Sequence, residues 1–157
     1  MSEIRSILFV CTGNSCRSVM AEGLMKKYLK ESGREDVEVR SAGIIALEDF
    51  LPTDETIEVM KQEGIDVSDF KSKHVTAELI KKAGLILVME RAHKDSIVRM
   101  VPEAASKTYL LKEYKSEGAH NFLDNMNIRD PIGKSIDYYK LSFGMIKDQV
   151  KRIVKLI

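Results

Sequence analysis

Ile7-Leu8-Phe9-Val10-Cys11-Thr12-Gly13-Asn14-Ser15-Cys16-Arg17-Ser18 is the stretch from which the rest of the chain can be read. Four apolar residues in unbroken succession mark a strand covered on both faces, as in a parallel sheet, since a strand with one wet face would alternate. A short loop over residues 11–17 follows, with Gly13 expected to take the unusual backbone angles of a tight turn. From Ser18 onward Met20, Leu24, Met25, Tyr28 and Leu29 recur at helical spacing, with Ser18 placed to cap the helix and Ser32-Gly33 to stop it. The first unit is strand, loop, helix.

The same alternation runs outward from it. Residues 37–40 read as a second strand ending in Ser41-Ala42-Gly43, and 53–63 as a helix behind Pro52 that Gly64 stops. Residues 76–83 form a short helix, 85–89 a third strand, 91–100 a further helix and 108–111 a fourth strand. Tyr139, Phe143, Ile146, Val150, Ile153 and Ile157, at steps of three and four, make a terminal helix with one face on the sheet. Strands alternating with helices imply an α/β fold: a single three-layer domain over residues 1–157, with a central four-stranded parallel sheet flanked by helices. A chain of 157 residues suffices for one full core, burying roughly 18,000 Å² or about 69% of the unfolded surface.

Composition narrows the function. Lys plus Arg number 25 against 24 Asp plus Glu, so no strong field draws the chain to nucleic acid or to an anionic membrane. No apolar run approaches the ~20 residues of a membrane helix, and the N-terminus enters a strand without the pattern of a secretory signal, so a cytoplasmic setting is expected. The only cysteines, Cys11 and Cys16, lie five positions apart and cannot frame the fold with disulfides. His74, His93 and His120 are scattered and no zinc-type spacing occurs, so neither a metal nor another cofactor is expected. The eight methionines read as core filling, and the Lys26-Lys27 and Lys81-Lys82 pairs as solvated surface.

In such sheets ligands bind at the carboxyl ends of the strands, so the loop after strand one and the long loop over residues 112–135 should meet. A Cys followed six positions later by Arg is weak evidence by its spacing; its context, ending a buried strand and opening a helix, makes it specific. A loop of this length running into a helix N-terminus can aim successive N–H groups at an anion with three oxygens. Arg17 adds a planar fork able to follow those oxygens as phosphorus becomes trigonal bipyramidal. A helix N-terminus and a guanidinium favour thiolate over thiol, which suits Cys11 to be a nucleophile.

VCTGNSCRS over residues 10–18 resembles the active-site loop of the low-molecular-weight protein tyrosine phosphatase family. The likeness extends to RSAG at 40–43, to the strand LILVM at 85–89 and to Asp130-Pro131, and so covers nearly the whole chain. It implies a phosphocysteine intermediate on Cys11, Arg17 as phosphate clamp, Ser18 as hydroxyl donor to the thiolate, and Asp130 as general acid and then base. It also implies phosphate binding and loop support by Thr12, Gly13, Asn14, Ser15 and Cys16, with Asn14 and Ser41 propping the loop from behind. The implied partners are a phosphorylated protein or peptide as substrate and phosphate as product. An acid and base is what covalent transfer requires. Pro131 biases Asp130 toward extended backbone, and Asp124 is its local rival.

Departures from the commoner family pattern bear on the substrate. Where tyrosine-specific members carry aromatic residues after Asp-Pro, this chain has Ile132-Gly133-Lys134-Ser135, and where they carry a branched aliphatic residue before the second loop cysteine it has Ser15. With Ile136-Asp137-Tyr138-Tyr139-Lys140 these features resemble the protein arginine phosphatase branch, which usually has Thr at the Ser15 position. A guanidinium leaving group is satisfied by carboxylate and hydroxyl acceptors, here Ser15, Asp130 and Ser135. Phosphoarginine is thus the favoured substrate and phosphotyrosine the alternative. Phe70 falls where members often have a loop-supporting His, and His74 is assigned no role. Cys16 reads as a small buried loop residue, with a protective disulfide to Cys11 as the alternative. Of Tyr138 and Tyr139, one should pack in the core and the other lie on the amphipathic surface. An arsenate reductase would need further cysteines, and none follows Cys16; a silent phosphoresidue-binding module would need neither nucleophile nor acid.

Overall fold

A computed structural model describes residues 3–117 and 125–157. The strands are β1 (Ser6–Cys11), β2 (Glu38–Gly43), β3 (Leu85–Val88) and β4 (Thr108–Leu110); the helices are α1 (Arg17–Glu31), α2 (Asp54–Gln62), α3 (Ala77–Lys82), α4 (Arg91–Met100) and α5 (Ile136–Val154). They form one four-stranded sheet in the order β2-β1-β3-β4. All three pairings are parallel, with Cys11 opposite Gly43 and Val10 opposite Val88. The expected α/β architecture and strand count are what the chain adopts.

Alternate residues of β1 explain the layers. Ile7, Phe9 and Cys11 point into a core shared with α1 and α5, including Met20, Leu24, Phe143, Ile146 and Val150. Leu8 and Val10 point the other way, into a second core with Ile80, Ile86, Val88 and Ile97 that α3 and α4 cover. Period two in the strand thus turns one apolar run into the middle of a three-layer stack. Each fully buried Leu, Ile or Phe side chain contributes about 1.5–3 kcal/mol.

Several local expectations are corrected. Cys16 is the N-cap residue of α1 and makes no side-chain cap; Ser18 lies within the first turn, its hydroxyl directed to other partners. The residue at positive φ in the loop is Asn14 (φ 52°), not Gly13. Asn tolerates the left-handed region better than other side-chain-bearing residues, and its amide is fully bonded here. β2 starts at Glu38, and Pro102–Lys107 is a 3-10 helix where no element was expected. Met20, Met25, Met60 and Met89 fill the core, but Met100 and Met145 are exposed. Tyr139 is buried, and Gly33 and Gly64 end α1 and α2 at positive φ as expected.

Candidate active site

β1 is the first strand laid down, and its neighbours β2 and β3 lie on opposite sides of it. Ligand crevices of open α/β sheets form at such a switch point, at the carboxyl ends of the strands. Cys11 ends β1 there, and Glu90 follows the end of β3.

The loop is held by its carbonyls. Cys11 C=O accepts from Ile44 N–H, Thr12 C=O from Ile45 N–H (both 2.9 Å), and Ser15 C=O from Thr53 N–H at 3.2 Å. Because a trans peptide sets its N–H opposite its C=O, outward carbonyls aim the N–H groups of Thr12, Gly13 and Cys16 the other way. Among the described residues nothing in the protein accepts from the N–H of residues 12–16. The first turn of α1 adds its own unpaired donors. The loop therefore offers a ring of amides without protein acceptors at the start of a helix, an arrangement suited to an anion. Gly43 has to be glycine for this packing, since a Cβ there would stand 2.6 Å from Thr12 C=O and 2.8 Å from Asn14 N.

Asn14 braces the ring. Its Oδ1 accepts from Lys73 N–H (2.9 Å), and its Nδ2 donates to Ser18 Oγ (2.8 Å) and Ser41 Oγ (3.0 Å). Asn14, Ser18 and Ser41 are all buried. With a lone pair of Ser18 Oγ filled by Asn14, the Ser18 hydroxyl proton is available to Cys11 Sγ, 2.9 Å away. Where the family resemblance assigns loop support to a histidine side chain, the Lys73 backbone takes that part; Phe70 packs on the core and His74 is exposed.

Arg17 is 1% exposed, so every contact it makes matters. Nη1 donates to Glu90 Oε2 (2.7 Å) and to Ile128 C=O (2.6 Å), which engages both its hydrogens. Nη2 donates to Thr12 Oγ1 (3.3 Å) and lies 3.6 Å from Asp130 Oδ2. Nε has no acceptor among the described residues, which leaves the Nε and Nη2 edge for a ligand. Asp130 accepts from Ile132 N–H through Oδ1 (3.0 Å), so one oxygen is tethered while the other faces Arg17.

The structure thus brings the expected residues together as two sets, Cys11, Ser18, Asn14 and Ser41 joined by hydrogen bonds, and Thr12 bonded to Arg17 with Asp130 ion-paired to the same guanidinium, with Gly13 and Ser15 in the loop between them. Cys16 takes no part in either set; its Sγ lies within 3.5–3.6 Å of Ser15 Oγ, Thr53 Oγ1 and Tyr139 OH. Cys11 and Cys16 are both free and buried. Ser135 does not join the site; its Oγ accepts from Tyr138 N–H and caps α5. Asp124 lies outside the described residues.

Glu90 and His93 were not anticipated. Both follow the carboxyl end of a parallel strand, the signal that drew attention to residues 11–17 and could have found them. His93 is buried; its Nε2 lies 2.9 Å from Thr12 Oγ1, and burial together with the Arg17 charge pushes its imidazole down to about 4.

Among the described residues no helix is long and apolar enough to cross a membrane. The family model described as low molecular weight phosphotyrosine protein phosphatase matches residues 6–157. A protein-arginine-phosphatase of Bacillus subtilis (strain 168) is 36% identical over 149 residues, covering 95% of this chain and 94% of that protein. A probable low molecular weight protein-tyrosine-phosphatase, EpsP, of Ralstonia nicotianae is 34% identical over 144 residues, covering 92% and 90%. The crystal structure of a low molecular weight protein tyrosine phosphatase from T. tengcongensis superposes with a TM-score of 0.86 at 38% identity, covering 97% of this chain and 99% of that one.

Proposed function

Since the chain belongs to the low molecular weight phosphotyrosine protein phosphatase family and is a protein phosphatase, we propose that it works through a covalent Cys11 intermediate, with phosphoarginine as favoured substrate and phosphotyrosine as the alternative. The observation that carries the mechanism is the Cys11 Sγ to Ser18 Oγ contact of 2.9 Å at the ring of unpaired amides. A hydroxyl whose oxygen is already engaged by Asn14 has its proton free to donate to sulfur, which holds Sγ in place beside those amides.

Phosphate enters with its oxygens on the amides and on the Nε and Nη2 edge of Arg17. Cys11 sulfur attacks phosphorus, the bond from phosphorus to the substrate nitrogen or oxygen breaks, and Asp130 gives its proton to the departing group. Asp130 then takes a proton from water, whose oxygen attacks phosphorus. The S–P bond breaks, the thiolate returns and inorganic phosphate leaves. No step calls for a metal or other cofactor. A cytoplasmic setting belongs to the same reading, since the nucleophile works as a reduced thiol. Asp130→Ala is expected to slow turnover about 10²- to 10³-fold on alkyl or unactivated aryl phosphates and far less on p-nitrophenyl phosphate. Equal losses on both would move the acid elsewhere.

Ser15 and the segment after Pro131 support the substrate preference. Ser15 is a small half-buried side chain, and Ile132-Gly133-Lys134 forms an exposed turn with Gly133 at φ 79°, without an aromatic wall. Relatives of both specificities match at comparable identity. The deciding experiment is kcat/KM side by side on phosphoarginine and phosphotyrosine peptides. The ratio is expected to favour phosphoarginine and to move at least about tenfold toward phosphotyrosine in Ser15→Ile, as a change in pocket shape and polarity does. A ratio that the substitution leaves alone removes Ser15 from specificity.

A further inference from the structure

His93 takes no part in the chemistry above, yet its hydrogen bonds determine the state of a hydroxyl within the cup. Glu90 N–H donates to His93 Nδ1 at 3.0 Å. A ring nitrogen that accepts carries no proton, so the single imidazole proton resides on Nε2. Nε2–H then donates to Thr12 Oγ1 at 2.9 Å, and Arg17 Nη2 donates to the same oxygen at 3.3 Å. Two donors fill both lone pairs of that oxygen, so the Thr12 proton is left to be given away. Among the described residues no protein group takes it. The hydroxyl stands against Arg17 Nη2, on the edge of the guanidinium left for a ligand.

Resting on the phosphatase reading, we propose that His93 is a positioning residue: in its Nε2–H tautomer it fixes the Thr12 hydroxyl as a donor to the phosphoryl oxygen held on the Nη2 edge of Arg17. Glu90 is the hub of the arrangement. Its backbone N–H selects the tautomer, while its carboxylate holds Arg17 Nη1. The opposite tautomer would make Nε2 an acceptor and draw the Thr12 proton away from the cup. Protonation would place a second N–H against that of Glu90. Burial and Arg17 from α1 oppose it, outweighing Glu90 and Asp130, so the set tautomer persists through the neutral range.

The test compares the full-length chain with Thr12→Val, His93→Phe and the double variant, reading the inhibition constant of vanadate, kcat/KM on p-nitrophenyl phosphate and the melting temperature. Thr12→Val is expected to weaken vanadate and lower kcat/KM about tenfold, the range of a hydrogen bond to a charged group. His93→Phe should reproduce most of that loss, and the double variant should be no worse than Thr12→Val, because one residue acts through the other. His93→Gln, whose amide can donate from the Nε2 position, should restore part of the loss.

Additive losses, or unchanged vanadate binding in Thr12→Val, overturn the proposal. A loss confined to poor leaving groups also overturns it, by putting the Thr12 proton on Asp130. Should His93→Phe fail to fold, Thr12→Val and His93→Gln still report on the same hydroxyl. A parent chain unable to hydrolyse p-nitrophenyl phosphate would reject the function itself before any variant is compared.

Discussion

Cys11→Ser abolishes turnover of p-nitrophenyl phosphate, by at least about four orders of magnitude, while inorganic phosphate still binds: this is the expected result with the largest effect. The magnitude is that of removing a nucleophile from a site whose other parts remain. Binding survives because the amides of the ring, the Arg17 edge and the Asn14 brace are independent of sulfur. Serine is close to isosteric, so Ser18 Oγ keeps a partner and the melting temperature should move little. Acid quenching during turnover should recover phosphate bound to the parent protein through sulfur. Hydrolysis by Cys11→Ser within tenfold of the parent would remove the Cys11 sulfur from the mechanism.

Arg17→Lys is expected to cost about 10³-fold in kcat and to lower the melting temperature as well. An ammonium is a single point of charge and cannot bond Glu90 Oε2, Ile128 C=O and Thr12 Oγ1 while offering a second edge to phosphate. The catalytic part is the loss of preorganised donors to charge that develops in the transition state. The stability part arises because Glu90 and Ile128 C=O lose a well-placed donor beside a cavity. A kinetic loss with no fall in melting temperature would mean that the contacts to Glu90 and Ile128 do not stabilise the fold. A kcat near that of the parent would dismiss the guanidinium fork from the mechanism.

Much of the fold was legible because it is periodic. Ile7 to Val10 announce a strand with two covered faces, and the terminal steps from Tyr139 announce α5. Cys11, Arg17 and their setting were legible too, because a buried strand running into a helix constrains what the intervening loop can be. The errors share a cause in hydrogen bonds that cross the sequence. Ser18 looks like a cap by position, yet its hydroxyl is engaged by Asn14 and Cys11. Gly13 looks like the strained residue, yet Lys73 and Ser41 hold Asn14 at positive φ. Glu90 and His93 stand in an ordinary amphipathic stretch, and only the switch point between β1 and β3 sets them against Thr12 and Arg17.

The Asn14 brace has a temporal side. Its partners Ser41 and Lys73 are 27 and 59 positions away along the chain. Contacts of such span form only after their chain-closure entropy has been met, late in the ordering of a parallel sheet. Without those docked segments the β1–α1 unit would carry the thiol on an unbraced loop. Chemical competence is therefore a property of the assembled fold and not of the segment from Cys11 to Arg17 alone.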